Sequence, residues 1–181
     1  MSNNVCNHTE TRREDWGTPQ WLFDALSRLF KFKVDLAANR DNAKVERHLS
    51  PEDDFLGGGF KKLLNTFPDV FFHENWAWCN PPYGHNGCGK WIEQIFMVPN
   101  TVSLVPASVG AKWFRQCWTY ATCIVFLHDR LRFEGAPCVA QFDCCLVVKG
   151  ESLNHGHLRD LAHVGTVVPI WHTFPMIGKV A

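Results

Sequence analysis

The chain has 181 residues, 46% hydrophobic and 20% charged, the balance of one globular domain with a real core. Eighteen basic residues match eighteen acidic ones, so any nucleic-acid binding must come from a local basic face rather than from net charge. No apolar run reaches membrane-spanning length, the start lacks a signal-peptide pattern, and the eight cysteines include no Cys-x-x-Cys pair; the expectation is a cytoplasmic protein with reduced, buried thiols and no metal site.

Residues 1–15 mix polar and charged types and read as a flexible arm, leaving 16–181 as one domain. Thr18-Pro19 opens a helix carrying Leu22, Ala25, Leu26, Leu29 and Phe30 at helical spacing. Phe32 to Leu36 reads as a strand, Ala37-Ala38-Asn39 as the turn at its end, and Asp41 to His48 as a short helix. Ser50 to Phe60, acidic and then glycine-rich, reads as loop with one turn or short strand at Phe55-Leu56. Trp76 to Cys79 is a strand, Lys90 to Val98 a helix, Thr101 to Val105 a buried strand closed by Pro106, and Gly110 to Tyr120 a helix. Thr122 to Leu127 and Phe142 to Val148 are strands flanking a turn at Leu131 to Gly135. The remainder, including His155-Gly156-His157, reads as irregular or weakly extended. Alternating strands and helices predict an α/β fold with a mostly parallel sheet. The short helix-free link between the last two strands predicts an antiparallel pair at one edge.

Ligands in such sheets bind beyond the carboxyl ends of the strands. Two strand ends are rich in chemistry: Asp35 to Asn39, and Asn80-Pro81-Pro82-Tyr83. The second combines an acceptor side chain, two prolines without N–H groups and an aromatic ring. Such a turn suits a planar amino group, whose nitrogen lone pair is delocalised. The Asn80 side-chain carbonyl and the Pro81 main-chain carbonyl can take its two hydrogens, favouring a pyramidal nitrogen and stabilising charge that develops there. A rigid surface turn is the alternative for a four-residue pattern of this kind.

At these residues the chain resembles the phage-type, Dam-like DNA N6-adenine methyltransferases. The likeness runs over about residues 15 to 149, in ordered blocks: Trp16-Gly17-Thr18-Pro19, Val34 to Ala38, Asp53 to Leu56, Trp78 to Tyr83, Leu104 to Ala107 with Lys112-Trp113-Phe114, and Leu131-Arg132-Phe133. The resemblance implies a reduced class I S-adenosyl-L-methionine-dependent, Rossmann-like fold. It implies Thr18 and Pro19 against the methionine part of the cofactor with Trp16 nearby, Asp35, Ala37, Ala38 and Asn39 along it, and Asp54 and Phe55 near its adenine. Asn80 and Pro81 would hold the target amino group, Pro82 would complete the catalytic turn and Tyr83 would stack on the base. The implied setting is the cytoplasm of a bacterial host, with a phage or prophage gene.

Two features depart from the pattern. Asn39-Arg40-Asp41 stands where glycines are common, and no clear second strand with a ribose-binding acid follows. An adenine in double-stranded DNA would have to flip out to reach the turn. Lys112, Arg115, Arg130 and Arg132, with Lys90, are the candidate phosphate contacts, solvated surface charge being the alternative for each. Leu131 or Phe133 could wall a base pocket or be core; Trp113 and Phe114 read as helix packing. Protein glutamine N5 methylation, cytosine N4 methylation and a non-catalytic DNA-binding module remain alternative readings. The first of these usually carries the glycine-rich loop that is missing here.

Overall fold

A computed structural model describes residues 16–83 and 87–170. The arm expected over 1–15 lies outside the described residues, as do Gly84 to Asn86. In chain order the main elements are α1 (Gln20–Ser27), β1 (Phe32–Asp35), α2 (Phe60–Thr66), β2 (Trp76–Cys79), α3 (Gly87–Ile95) and β3 (Thr101–Pro106). Then come α4 (Phe114–Tyr120), β4 (Cys123–Leu127), β5 (Cys144–Lys149), α5 (His155–Leu161) and β6 (Gly165–Pro169).

The six strands form one sheet in the order β1-β2-β3-β5-β4-β6. The β1–β2 and β2–β3 ladders are parallel, and the β3–β5, β4–β5 and β4–β6 ladders are antiparallel. The predicted β4–β5 pair therefore forms, but not as an edge. β5 enters the sheet between β3 and β4, and β6 covers the far side, so three of the five ladders are antiparallel and the sheet is mixed rather than mostly parallel. Alternation explains the insertion: Cys144, Leu146 and Val148 face one layer while Cys145 and Val147 face the other. A strand apolar on both faces is stable only inside a sheet.

Helices cover both faces. On one, Leu22, Phe23 and Leu26 of α1 and Leu161 of α5 pack with Trp76, Trp78, Val102, Leu104, Val125 and Leu146. On the other, α2, α3 and α4 bring Leu63, Ile95, Ile92, Phe114 and Cys117 against Ala77, Cys79, Val105, Ile124 and Val147.

Other expectations are corrected. Residues 41–47 are not helical. The Asn39 side-chain oxygen accepts from the Asp41 and Asn42 backbone N–H groups at 2.9 and 3.1 Å, and Asn42 Oδ1 accepts from Asn39 N at 2.7 Å. These local bonds compete with helical ones. The segment after Ser50 is more ordered than a loop, with a 3₁₀ turn at Pro51–Asp53 and a π turn at Phe55–Gly59 running into α2. Among the described residues the chain after β5 is not irregular but forms α5 and then β6. Asn154 caps α5 by accepting from His157 N, and β6 pairs along β4. His157 belongs to this packing, its ring stacked on Phe30 at 5.3 Å. Cys79, Cys88, Cys117, Cys123, Cys144 and Cys145 are free and buried; Cys138 departs from the expected thiols in being disulfide-bonded. Among the described residues no helix is long and apolar enough to cross a membrane.

Candidate active site

Parallel pairing sets β1 beside β2 with Asp35 opposite Trp78, so their two strand ends open on one crevice. Register partners in a sheet point to the same face, here the face covered by α1. The Asn80 turn starts one residue beyond β2. Its amide is oriented from both ends: Nδ2 donates to the Trp16 carbonyl at 3.0 Å, and Oδ1 accepts from the Tyr83 hydroxyl at 2.6 Å. A flipped amide would set its oxygen against the Trp16 carbonyl, so these partners fix which end is the acceptor.

The Tyr83 hydroxyl also lies 3.0 Å from the Leu104 carbonyl. Burial pushes its pKa well up, with nearby cysteine thiols adding to the effect. Its ring meets Phe133 and Phe142 edge-on, each at 5.8 Å. With the hydroxyl turned inward, only the partly exposed ring is available for stacking.

The Trp16 segment is held over the site by two backbone bonds between Gly17 and Glu134, at 3.1 and 2.9 Å, and by stacking of Trp16 on Phe133 at 5.8 Å. Gly135 closes the turn at φ 78, a conformation suited to glycine. Lys44, its side chain only 8% exposed, ties the assembly together, donating to Glu134 at 2.7 Å and to Gln20 at 2.9 Å. None of this network was legible beforehand, because it joins positions 24 and 90 residues apart.

Asp35 is 2% exposed and accepts N–H bonds from Ala37 at 3.2 Å and Lys44 at 3.1 Å. Burial pushes its carboxyl pKa up to about 6, against those bonds and the nearby His48 and Lys44. The predicted cofactor residues gather around two cavities. One, of about 370 Å³, is bordered by Ala37, Ala38, Asn39, Asp54, Phe55 and Pro82. The other, about 30 Å³ and polar, is bordered by Trp16, Thr18, Asp35, Ala37, Trp78 and Asn80. Pro19 is buried at the start of α1 and borders neither. Asn42 and Trp91 also line the crevice without having been singled out, and Trp91 stacks on Phe55 at 5.4 Å. Asp54 adopts a left-handed conformation, φ 46, and caps the π turn by accepting from Gly57 N at 3.0 Å. A larger cavity of about 620 Å³ lies at the opposite edge, bordered by Asn100, Thr122 and Lys149 and by none of the predicted site residues.

Lys90, Lys112, Arg115, Arg130 and Arg132 are all exposed. Lys112 and Arg132 lie on the connections leaving β3 and β4, on the crevice edge of the sheet. Arg130 pairs with Asp143 at 2.9 Å. Leu131 and Phe133 are 2% exposed and belong to the core, as does Phe114. Among the described residues no group of three His, Cys, Asp or Glu side chains could hold a metal ion.

These features define an α/β protein with a crevice at the carboxyl edge of its sheet, where the Asn80 turn holds an oriented amide. The chain belongs to the DNA N-6-adenine-methyltransferase (Dam) family, whose model matches residues 6–174. The family's activity, methylation of adenine N6 in DNA, makes DNA the partner. Comparison with curated proteins and with solved structures finds no match.

Proposed function

We propose that residues 16–181 act as one class I methyltransferase domain, moving a methyl group from S-adenosyl-L-methionine to N6 of an adenine flipped out of double-stranded DNA. The observation that carries this is the Asn80 amide, fixed with its oxygen as the acceptor at the mouth of the crevice. Asn80 Oδ1 and the Pro81 carbonyl take the two hydrogens of the target amino group and stabilise positive charge growing on nitrogen. Pro82 stiffens the turn. Correct placement of the nitrogen supplies part of a proximity effect that reaches roughly 7–11 kcal/mol in favourable cases.

The crevice suits the cofactor. Its cavity of about 370 Å³ is of ligand size. Ala37 and Ala38 leave room along the strand end, the Phe55–Trp91 pair offers an apolar wall to a purine, and Asn39, Ser50 and Asp54 offer polar groups to a ribose. Thr18 and Asp35 border the adjoining polar cavity, where the methionine part belongs. When bound, S-adenosyl-L-methionine supplies an electrophilic methyl group on a sulfonium.

Flipping the base costs a few kcal/mol, to which contacts of Lys112, Arg115, Arg130 and Arg132 with phosphates contribute. The Tyr83 ring stacks on the flipped base. The bacterial cytoplasm and a phage or prophage gene belong to the same reading.

The test is Asn80→Ala. Methyl transfer should be abolished while calorimetry still finds S-adenosyl-L-methionine bound; loss of folding instead would make the turn structural. Expression of the wild type in a methylation-free host, with sequencing of modified bases, should reveal N6-methyladenine. Its absence would sink the reading.

A further inference from the structure

Trp78 is fully buried, and its indole Nε1–H has no hydrogen-bond partner. It borders the polar cavity of about 30 Å³ between Trp16, Thr18, Asp35 and Asn80. Of the buried side-chain polar atoms without a partner among the described residues, it is the one belonging to that wall. A buried donor left unsatisfied is costly, and native proteins keep few of them. The wall that Trp78 shares also carries acceptors. Asp35, its register partner on β1, contributes a carboxyl, and Asn80 two residues on contributes an amide oxygen. The cavity wall thus brings together an unpartnered N–H donor and an acidic acceptor, the complement of an α-amino acid zwitterion.

We infer that the Trp78 indole N–H is a specificity-determining donor for the carboxylate of the cofactor's methionine part. The inference rests on the S-adenosyl-L-methionine reading above and adds a residue to it. Binding gives the indole a charged acceptor and relieves an unpaired group at the same time. The strand supplies this donor itself: the alternation that sends Ala77 and Cys79 into the opposite layer turns Trp78 toward α1 and the cavity.

The probe is a pair of ligands, S-adenosyl-L-methionine and its decarboxylated analogue, titrated calorimetrically into wild type and Trp78→Phe. Wild type should bind the full cofactor more tightly than the analogue. Trp78→Phe should lose about ten- to a hundredfold in affinity for the full cofactor, the worth of a hydrogen bond to a charged group, and nothing for the analogue. Equal losses for both ligands, or none for either, would overturn the inference. Wild type that binds neither ligand would overturn the cofactor reading itself, and this with it. If Trp78→Phe does not fold, the indole ¹⁵N–¹H resonances of the wild type decide. The resonance assigned to Trp78 through its contacts with Phe23 and Phe32 should move downfield with the full cofactor only. A shift of equal size with the analogue, or none with either, overturns the proposal.

Discussion

The Tyr83 hydroxyl holds one proton between two acceptors, Asn80 Oδ1 and the Leu104 carbonyl. Removing it while keeping the ring separates orientation of the Asn80 amide from stacking. Tyr83→Phe should lower kcat about tenfold, the worth of one hydrogen bond, and leave KM for DNA within about twofold; Tyr83→Ala should damage both. Steady-state kinetics on a DNA substrate checks this, and an unchanged kcat in Tyr83→Phe would deny the hydroxyl a positioning role. Asp35 makes a pH prediction. Its folded-state pKa, about 6, stands above the ordinary 3.8, so the folded protein keeps a proton between about pH 4 and 6 that the unfolded chain has released. Stability attributable to Asp35 is therefore full below pH 4 and lost as pH rises through 6. Relative to Asp35→Asn, the wild type should lose roughly 2–3 kcal/mol between pH 4 and 7, read from urea denaturation. A constant difference across that range would contradict the burial effect. The acceptor pattern of Asn80 to Tyr83 was legible in the chain because it is local. The inward turn of the Tyr83 hydroxyl was not, since Leu104 lies 21 residues away.

At the level of elements, the strand and helix cores were readable from periodicity, and the errors fell where side chains or neighbours override it. Residues 41–47 carry helix-compatible types, yet Asn39 and Asn42 bond the local backbone and prevent the helix. β6 escaped notice because its ladder is entirely with β4, some forty residues earlier, and only partly buries it. That strand sits close enough to test. A Cβ on Gly165 would come within 2.3 Å of the Phe126 carbonyl oxygen, backbone that has no rotamer to escape through. Gly165→Ala should destabilise the protein by about 1–3 kcal/mol by displacing β6, measured as a lower urea midpoint. An unchanged midpoint would mean that β6 adds little to the sheet.

For the whole molecule, zero net charge leaves DNA binding to whatever local basic surface faces the crevice. Arg132, exposed beside the core residues Leu131 and Phe133, is the strongest such candidate, since Arg130 already pairs with Asp143. Arg132→Ala should weaken binding to all DNA sequences alike and reduce the slope of log K against log salt by about one. Filter binding at several salt concentrations checks this, and an unaltered slope would return Arg132 to ordinary solvated surface. The amino-acid sequence by itself determined the α/β class, the strand-end turn of Asn80 to Tyr83 and the family. All three are written in short-range patterns: alternation, helical spacing and contiguous motifs. Only the tertiary structure decided that β5 enters the sheet, that Gly17 pairs with Glu134, and that Trp78 keeps an unpaired donor on a cavity wall shared with Asn80. Those facts depend on which distant segments share a register or a cavity. Such contacts arise from packing the whole chain at once, so no local stretch of residues encodes them.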